Sequence, residues 1–83
     1  MLNEIDFRKN FGNNLNKLRK QRGLTQQDLA EQLNYSDKAV SKWERGESIP
    51  DTYTLYSIAA YFSVSIDDLL ADKETTNVNQ FRD

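Results

Sequence analysis

One local pattern recurs three times in this chain. An apolar residue is followed by a hydroxyl residue, two further residues, an acidic or small residue, and a second apolar residue. It occurs as Leu24-Thr25 with Asp28-Leu29, as Tyr35-Ser36 with Ala39-Val40, and as Val64-Ser65 with Asp68-Leu69. This is how a helix begins. The hydroxyl accepts from a first-turn N–H, a side chain at the third helical position can return the bond, and the flanking apolar pair packs as a staple. In the first and third occurrences Asp stands where Glu or Gln is commoner. Three such starts within 83 residues leave room only for short helices with abrupt breaks, which points to a small all-α domain with one core.

The apolar periodicity supplies the inward faces. Phe7, Phe11, Leu15 and Leu18 are spaced four, four and three apart, one stripe of a first helix that Gly12 and the Asn pair after it weaken locally and Gly23 ends. Leu29, Ala30 and Leu33 form the buried face of a second helix that stops at Asn34. Ala39, Val40 and Trp43 face inward on a third, which Gly46 terminates. Only three residues separate Leu33 from Asp37, so these two helices must cross sharply, as in a helix-turn-helix. Pro50 suits the edge of a fourth helix, whose Leu55, Ile58, Ala59 and Phe62 close the core, and the third pattern opens a short fifth helix. Beyond Ala71 the residues are polar apart from Val78 and Phe81, too little apolar surface to offset chain ordering. The expected organisation is a domain over 1–71 and a flexible tail or linker over 72–83.

Composition narrows the chemistry. The chain has no cysteine and no histidine, so a disulfide framework, a thiolate zinc site and the commonest general base are all missing. Asp67-Asp68 is the only adjacent carboxylate pair, and neighbours on a helix point about 100° apart, so the two cannot jointly hold a metal or a proton. No enzyme, metal, cofactor or small-molecule ligand is expected. No apolar run is long enough to span a bilayer and no signal peptide opens the chain, which reads as cytoplasmic with no membrane partner. The formal charge of −2 and the isoelectric point of about 5.0 weigh against a nucleic-acid partner. Their distribution weighs the other way: residues 1–45 hold nine Lys/Arg against six Asp/Glu, and residues 46–83 two against seven.

The stretch from Leu18 to Leu70 resembles the Cro and cI-type (XRE) helix-turn-helix family of phage and bacterial transcription regulators. The likeness rests on Thr25-Gln26, Leu29-Ala30, Ser41-Lys42-Trp43-Glu44-Arg45-Gly46 and Pro50, and extends from about Phe7 to Leu70. Two positions depart from the family pattern: Asn34 stands where Gly is usual, and Asp37-Lys38 replaces an Arg/Lys/Gln pair at the head of the reading helix. The resemblance implies a compact five-helix, lambda-repressor-like domain with helices two and three as the motif. It implies that the third helix lies in the major groove of double-stranded DNA, about 12 Å wide, while the second crosses the sugar-phosphate backbone.

On that resemblance Lys38, Ser41 and Lys42 face base edges. Asp37 is either a structural acid at the helix start or an acceptor for a cytosine amino group. Gln26, Ser36 and Arg45 meet phosphates, and Arg19 and Glu44 form an ion pair joining helices one and three. One such motif reads too few base pairs to select a site, so a homodimer on a palindromic operator is expected, paired through helix five and the segment after it and acting as a repressor. The alternative keeps the fold but makes it a protein-interaction module, such as an antitoxin or anti-repressor partner, using the acidic face from Glu47 to Asp72.

Overall fold

The computed structural model describes residues 3–72, which form five helices: α1 (Glu4–Gln21), α2 (Gln26–Leu33), α3 (Asp37–Glu44), α4 (Thr52–Phe62) and α5 (Ile66–Leu70). Each helix starts on a side-chain cap. Thr25, Ser36 and Ser65 accept from the N–H groups of Asp28, Ala39 and Asp68, as the repeated pattern predicts, and in α2 and α5 the Asp side chain returns the bond to complete a capping box. Asn3 and Asp51 cap α1 and α4 in the same way.

The first four helices also end alike. A residue with positive φ, in turn Gly23, Asn34, Gly46 and Ser63, stops each helix. The N–H of the next residue reaches back five positions: Leu24 to the Arg19 carbonyl, Tyr35 to Ala30, Glu47 to Lys42 and Val64 to Ala59, at 2.9–3.1 Å. With the N–H of the positive-φ residue bonded three positions back, this is the Schellman arrangement. In three of the four junctions the same residue then precedes the next cap. Leu24, Tyr35 and Val64 therefore close one helix and open another, which accounts for the abrupt breaks.

Phe11, Leu15, Leu29, Val40, Ile58 and Leu69 are wholly buried and draw one core from all five helices. α3 packs on α1 and α2, and α5 on α1 and α4. α1 runs unbroken through Gly12 and the asparagines despite their low helix propensity. Gly12 is buried where α1 meets α3: a Cβ placed there would lie 2.5 Å from the Trp43 carbonyl oxygen and 2.8 Å from that of Glu44. Asn14 is also buried, and its amide donates to the carbonyls of Asp68, Leu69 and Ala71 at 3.2, 2.7 and 2.9 Å. It satisfies the open C-terminal end of α5 from across the core. The expected tail lies outside the described residues from position 73 onward.

Candidate nucleic-acid interface

The inner side of α3 is held firmly. Val40 and Trp43 are buried, and Trp43 meets Tyr35 edge to face with ring centroids 5.0 Å apart. The Tyr35 hydroxyl lies 3.1 Å from Thr54 Oγ1, which ties the α2–α3 turn to α4. With that side committed, the opposite side faces out. Lys38 and Lys42 are exposed there on adjacent turns, about 6 Å apart along the axis. Neither ammonium belongs to the Arg8–Glu4, Arg19–Glu44 or Arg45–Glu47 ion pairs. Asp37 is exposed at the first position of α3, where an acid suits the helix dipole. Ser36 uses its oxygen to accept from Ala39 N at 3.2 Å, leaving its O–H proton available to donate outward.

Beneath this surface lies a closed polar network. Arg19 donates to Glu44 through Nε at 2.6 Å and through its terminal nitrogen at 3.0 Å, and to the Leu24 carbonyl at 2.7 Å. Glu44 Oε1 also accepts from the amides of Asn16 and Gln26, at 2.9 and 3.1 Å. The two charged side chains are only 11% and 5% exposed, so the network is screened from water and joins α1, α2 and α3. Burial pushes the Glu44 carboxyl up, but the hydrogen bonds from Arg19, Asn16 and Gln26 outweigh it and hold the group below its ordinary range. Gln26, expected at a phosphate, thus has one amide hydrogen turned inward. Its second amide hydrogen and its first-turn backbone N–H are the groups it can offer a phosphate. Asn16 was missed in the sequence, although it lies three residues before Arg19 and hence on the same helical face.

Arg45 caps the C-terminal end of α3 with its side chain half exposed. It donates to both carboxylate oxygens of Glu47, at 2.8 and 3.2 Å, and to the hydroxyl of Ser41. The structure thereby brings together two expected DNA-contacting residues, Ser41 and Arg45, and Glu47, an acid of the C-terminal half. The hydrogen bonds from Arg45, and the charges of Arg45 and Lys42, hold the Glu47 carboxyl below its ordinary range. Other acids of the C-terminal half have local work as well: Asp51 caps α4, and Asp68 completes the capping box of α5. Three acids of the C-terminal half are thus engaged in helix caps or in the ion pair with Arg45.

A sharply turned helix pair, with an anchored inner side and a free lysine-bearing side, defines a small helix-turn-helix domain. Residues 15–69 match the helix-turn-helix family. The chain is 47% identical over 64 residues to the transcriptional activator BcrR of Enterococcus faecalis, covering 77% of this chain and 31% of that protein. It is 35% identical over 72 residues to the uncharacterised regulator y4dJ of Sinorhizobium fredii, covering 87% of this chain and 94% of that one. Among solved structures, the SOS-response repressor LexA from Eubacterium rectale superposes with a TM-score of 0.76 at 28% identity, over 81% of this chain and 71% of that one. The chain belongs to the Cro/cI-type, or XRE, helix-turn-helix family of transcriptional regulators. No helix among the described residues is long and apolar enough to cross a membrane.

Proposed function

We propose that this chain regulates transcription by binding duplex DNA as a homodimer on a palindromic operator, with α3 in the major groove. Lys38, Ser41 and Lys42 face base edges, and Asp37 sits at the groove end of α3. Gln26, Ser36 and Arg45 take phosphates on either side. The observation that carries this reading is the exposure of Lys38 and Lys42 on the face of α3 opposite Val40 and Trp43. A Lys ammonium on that face can donate to guanine O6 and N7.

The copies pair through α4 and α5. Tyr53 and Tyr56 stand 78% and 62% exposed on the outer side of α4, and Tyr56, Ala60, Val64 and Ile66 line a shallow groove beside α5. Half-sites then fall about 34 Å apart, or a multiple of it. Repression by occupying the operator is the mode we propose, since it asks nothing of the domain beyond binding. The protein-interaction alternative has less to draw on, since Glu47, the first acid of its face, is paired with Arg45.

Selection of bound duplexes from a random pool should return a palindrome, and affinity for it should fall steeply between about 50 and 200 mM salt as phosphate contacts are lost. Retention of no duplex at low salt would overturn the reading. With the operator in hand, Lys42→Ala should relax preference at one position of each half-site by about 1–3 kcal/mol, and Gln26→Ala should weaken all sequences about equally. The opposite pattern would reverse the two assignments.

A further inference from the structure

The four Schellman ends of this fold share a backbone and differ in one side chain. After Gly23, Asn34 and Ser63, the residue whose N–H reaches back five positions is Leu24, Tyr35 or Val64. After Gly46 it is Glu47. An apolar residue is the common choice at this position because it can pack back on the helix it closes. A carboxylate there also lies next to the negative end of the α3 dipole, which favours cations. Yet the place is tightly defined: Glu47 N donates to the Lys42 carbonyl at 3.0 Å, and Arg8 donates to the Glu47 carbonyl at 3.4 Å. What makes the acid tolerable is Arg45, gripped by both carboxylate oxygens at 2.8 and 3.2 Å.

A guanidinium meets a phosphate in the same two-armed way. We propose that Glu47 sets the affinity of the DNA interface by occupying the Nε and Nη2 edge of Arg45, whose Nη1 donates to Ser41, as an internal stand-in for phosphate, so that a duplex makes a two-armed contact at that edge only by displacing Glu47. The inference rests on the DNA-binding reading above and adds a residue to it. Both side chains are about half exposed, so the exchange needs no repacking of the core. Phosphates are the same in every sequence, so Glu47, through Arg45, acts on the sequence-independent part of binding.

The test is a cycle of four proteins spanning the whole 83-residue chain: parent, Glu47→Gln, Arg45→Gln and the double variant. Each is titrated by fluorescence anisotropy with the selected operator and with a scrambled duplex of equal length, from 50 to 200 mM salt. Glu47→Gln should tighten binding to both duplexes by the same factor, about three- to tenfold near 0.1 M salt. The slope of log affinity against log salt should stay the same, because once Glu47 is displaced Arg45 neutralises the same phosphate in both proteins. In the Arg45→Gln background the same substitution should change neither quantity. Equal tightening in both backgrounds would make Glu47 a diffuse repulsive charge and overturn the proposal, as would no tightening in the parent. Failure of all four proteins to hold either duplex at 50 mM salt gives a different pattern and would bring down the DNA-binding reading itself.

Discussion

Glu44 and Arg45 are neighbours in the chain, and each completes an arginine–glutamate pair, Glu44 with Arg19 and Arg45 with Glu47. The pairs have similar two-armed geometry, at 2.6 and 3.0 Å in one and 2.8 and 3.2 Å in the other. They differ in surroundings. Successive helical residues point about 100° apart, so Glu44 turns under α1 and α2 while Arg45 turns to solvent. The first pair is 11% and 5% exposed and is completed by Asn16 and Gln26; the second is 54% and 52% exposed. Removing one partner of a buried pair strands the other charge without water, whereas an exposed pair exchanges readily with solvent or with a phosphate. Identical chemistry thus becomes a structural clamp in one place and an exchangeable contact in the other.

The contrast is easiest to break at Glu44. Glu44→Ala should lower stability by about 3–5 kcal/mol, because Arg19 stays buried without its acceptor. That is a large share of the roughly 5–15 kcal/mol available to such a domain. Equal melting temperatures for variant and parent would mean that the network is as exchangeable as the outer pair. A smaller effect is expected at Gly12, which sets the spacing between α1 and α3 and so the depth of the clamp. Helix propensity alone predicts that Gly12→Ala stabilises by about 0.5–1 kcal/mol. The contact with the Trp43 and Glu44 carbonyls predicts a net loss of about 1–3 kcal/mol. The sign of the change in a chemical denaturation series decides between them.

Acid titration sharpens the same comparison. Glu44 is held below its ordinary value of 4.5, so its contribution is fully present above that pH and is lost as pH falls through the lower folded-state value. Asp28 and Asp51, lowered by their cap bonds, act in the same direction. The difference between parent and Glu44→Gln isolates Glu44: the parent should lose stability more steeply as pH falls below about 4.5. Parallel profiles would show that the carboxylate carries no special stabilisation. The smallest effect belongs to the outer pair, where Glu47→Gln should leave the melting temperature unchanged while altering DNA affinity. A marked fall in melting temperature would place Glu47 among the structural residues.

Legibility in the sequence follows the range of each interaction. Thr25, Ser36 and Ser65 were readable as caps because a cap bonds within three residues of itself. The inward set Val40 and Trp43, and with it the outward set Lys38 and Lys42, followed from helical periodicity. The packing roles of Gly12 and Asn14 were not legible because what they meet, α3 in one case and α5 in the other, lies some thirty and some fifty-five residues away in the chain. Asp51 was open to recognition as a cap just after Pro50. Ser63 was not, since serine has no preference for positive φ; the Schellman bonds to the Ala60 and Ala59 carbonyls accompany that conformation. The inward turn of Gln26, and the capture of Arg45 by Glu47, likewise depended on which side chains converge in space.

The amino-acid order by itself determined where helices start and stop, which faces are apolar, and hence a five-helix domain with a sharply turned pair at its centre. Those are local matters of capping bonds, backbone conformation and a period of 3.6 residues. The tertiary structure decided how closely α1 and α3 approach, which polar groups are withdrawn from water, and which of two adjacent charges is locked and which is free. Burial sets the strength of an ion pair, and burial belongs to no residue until the helices have packed.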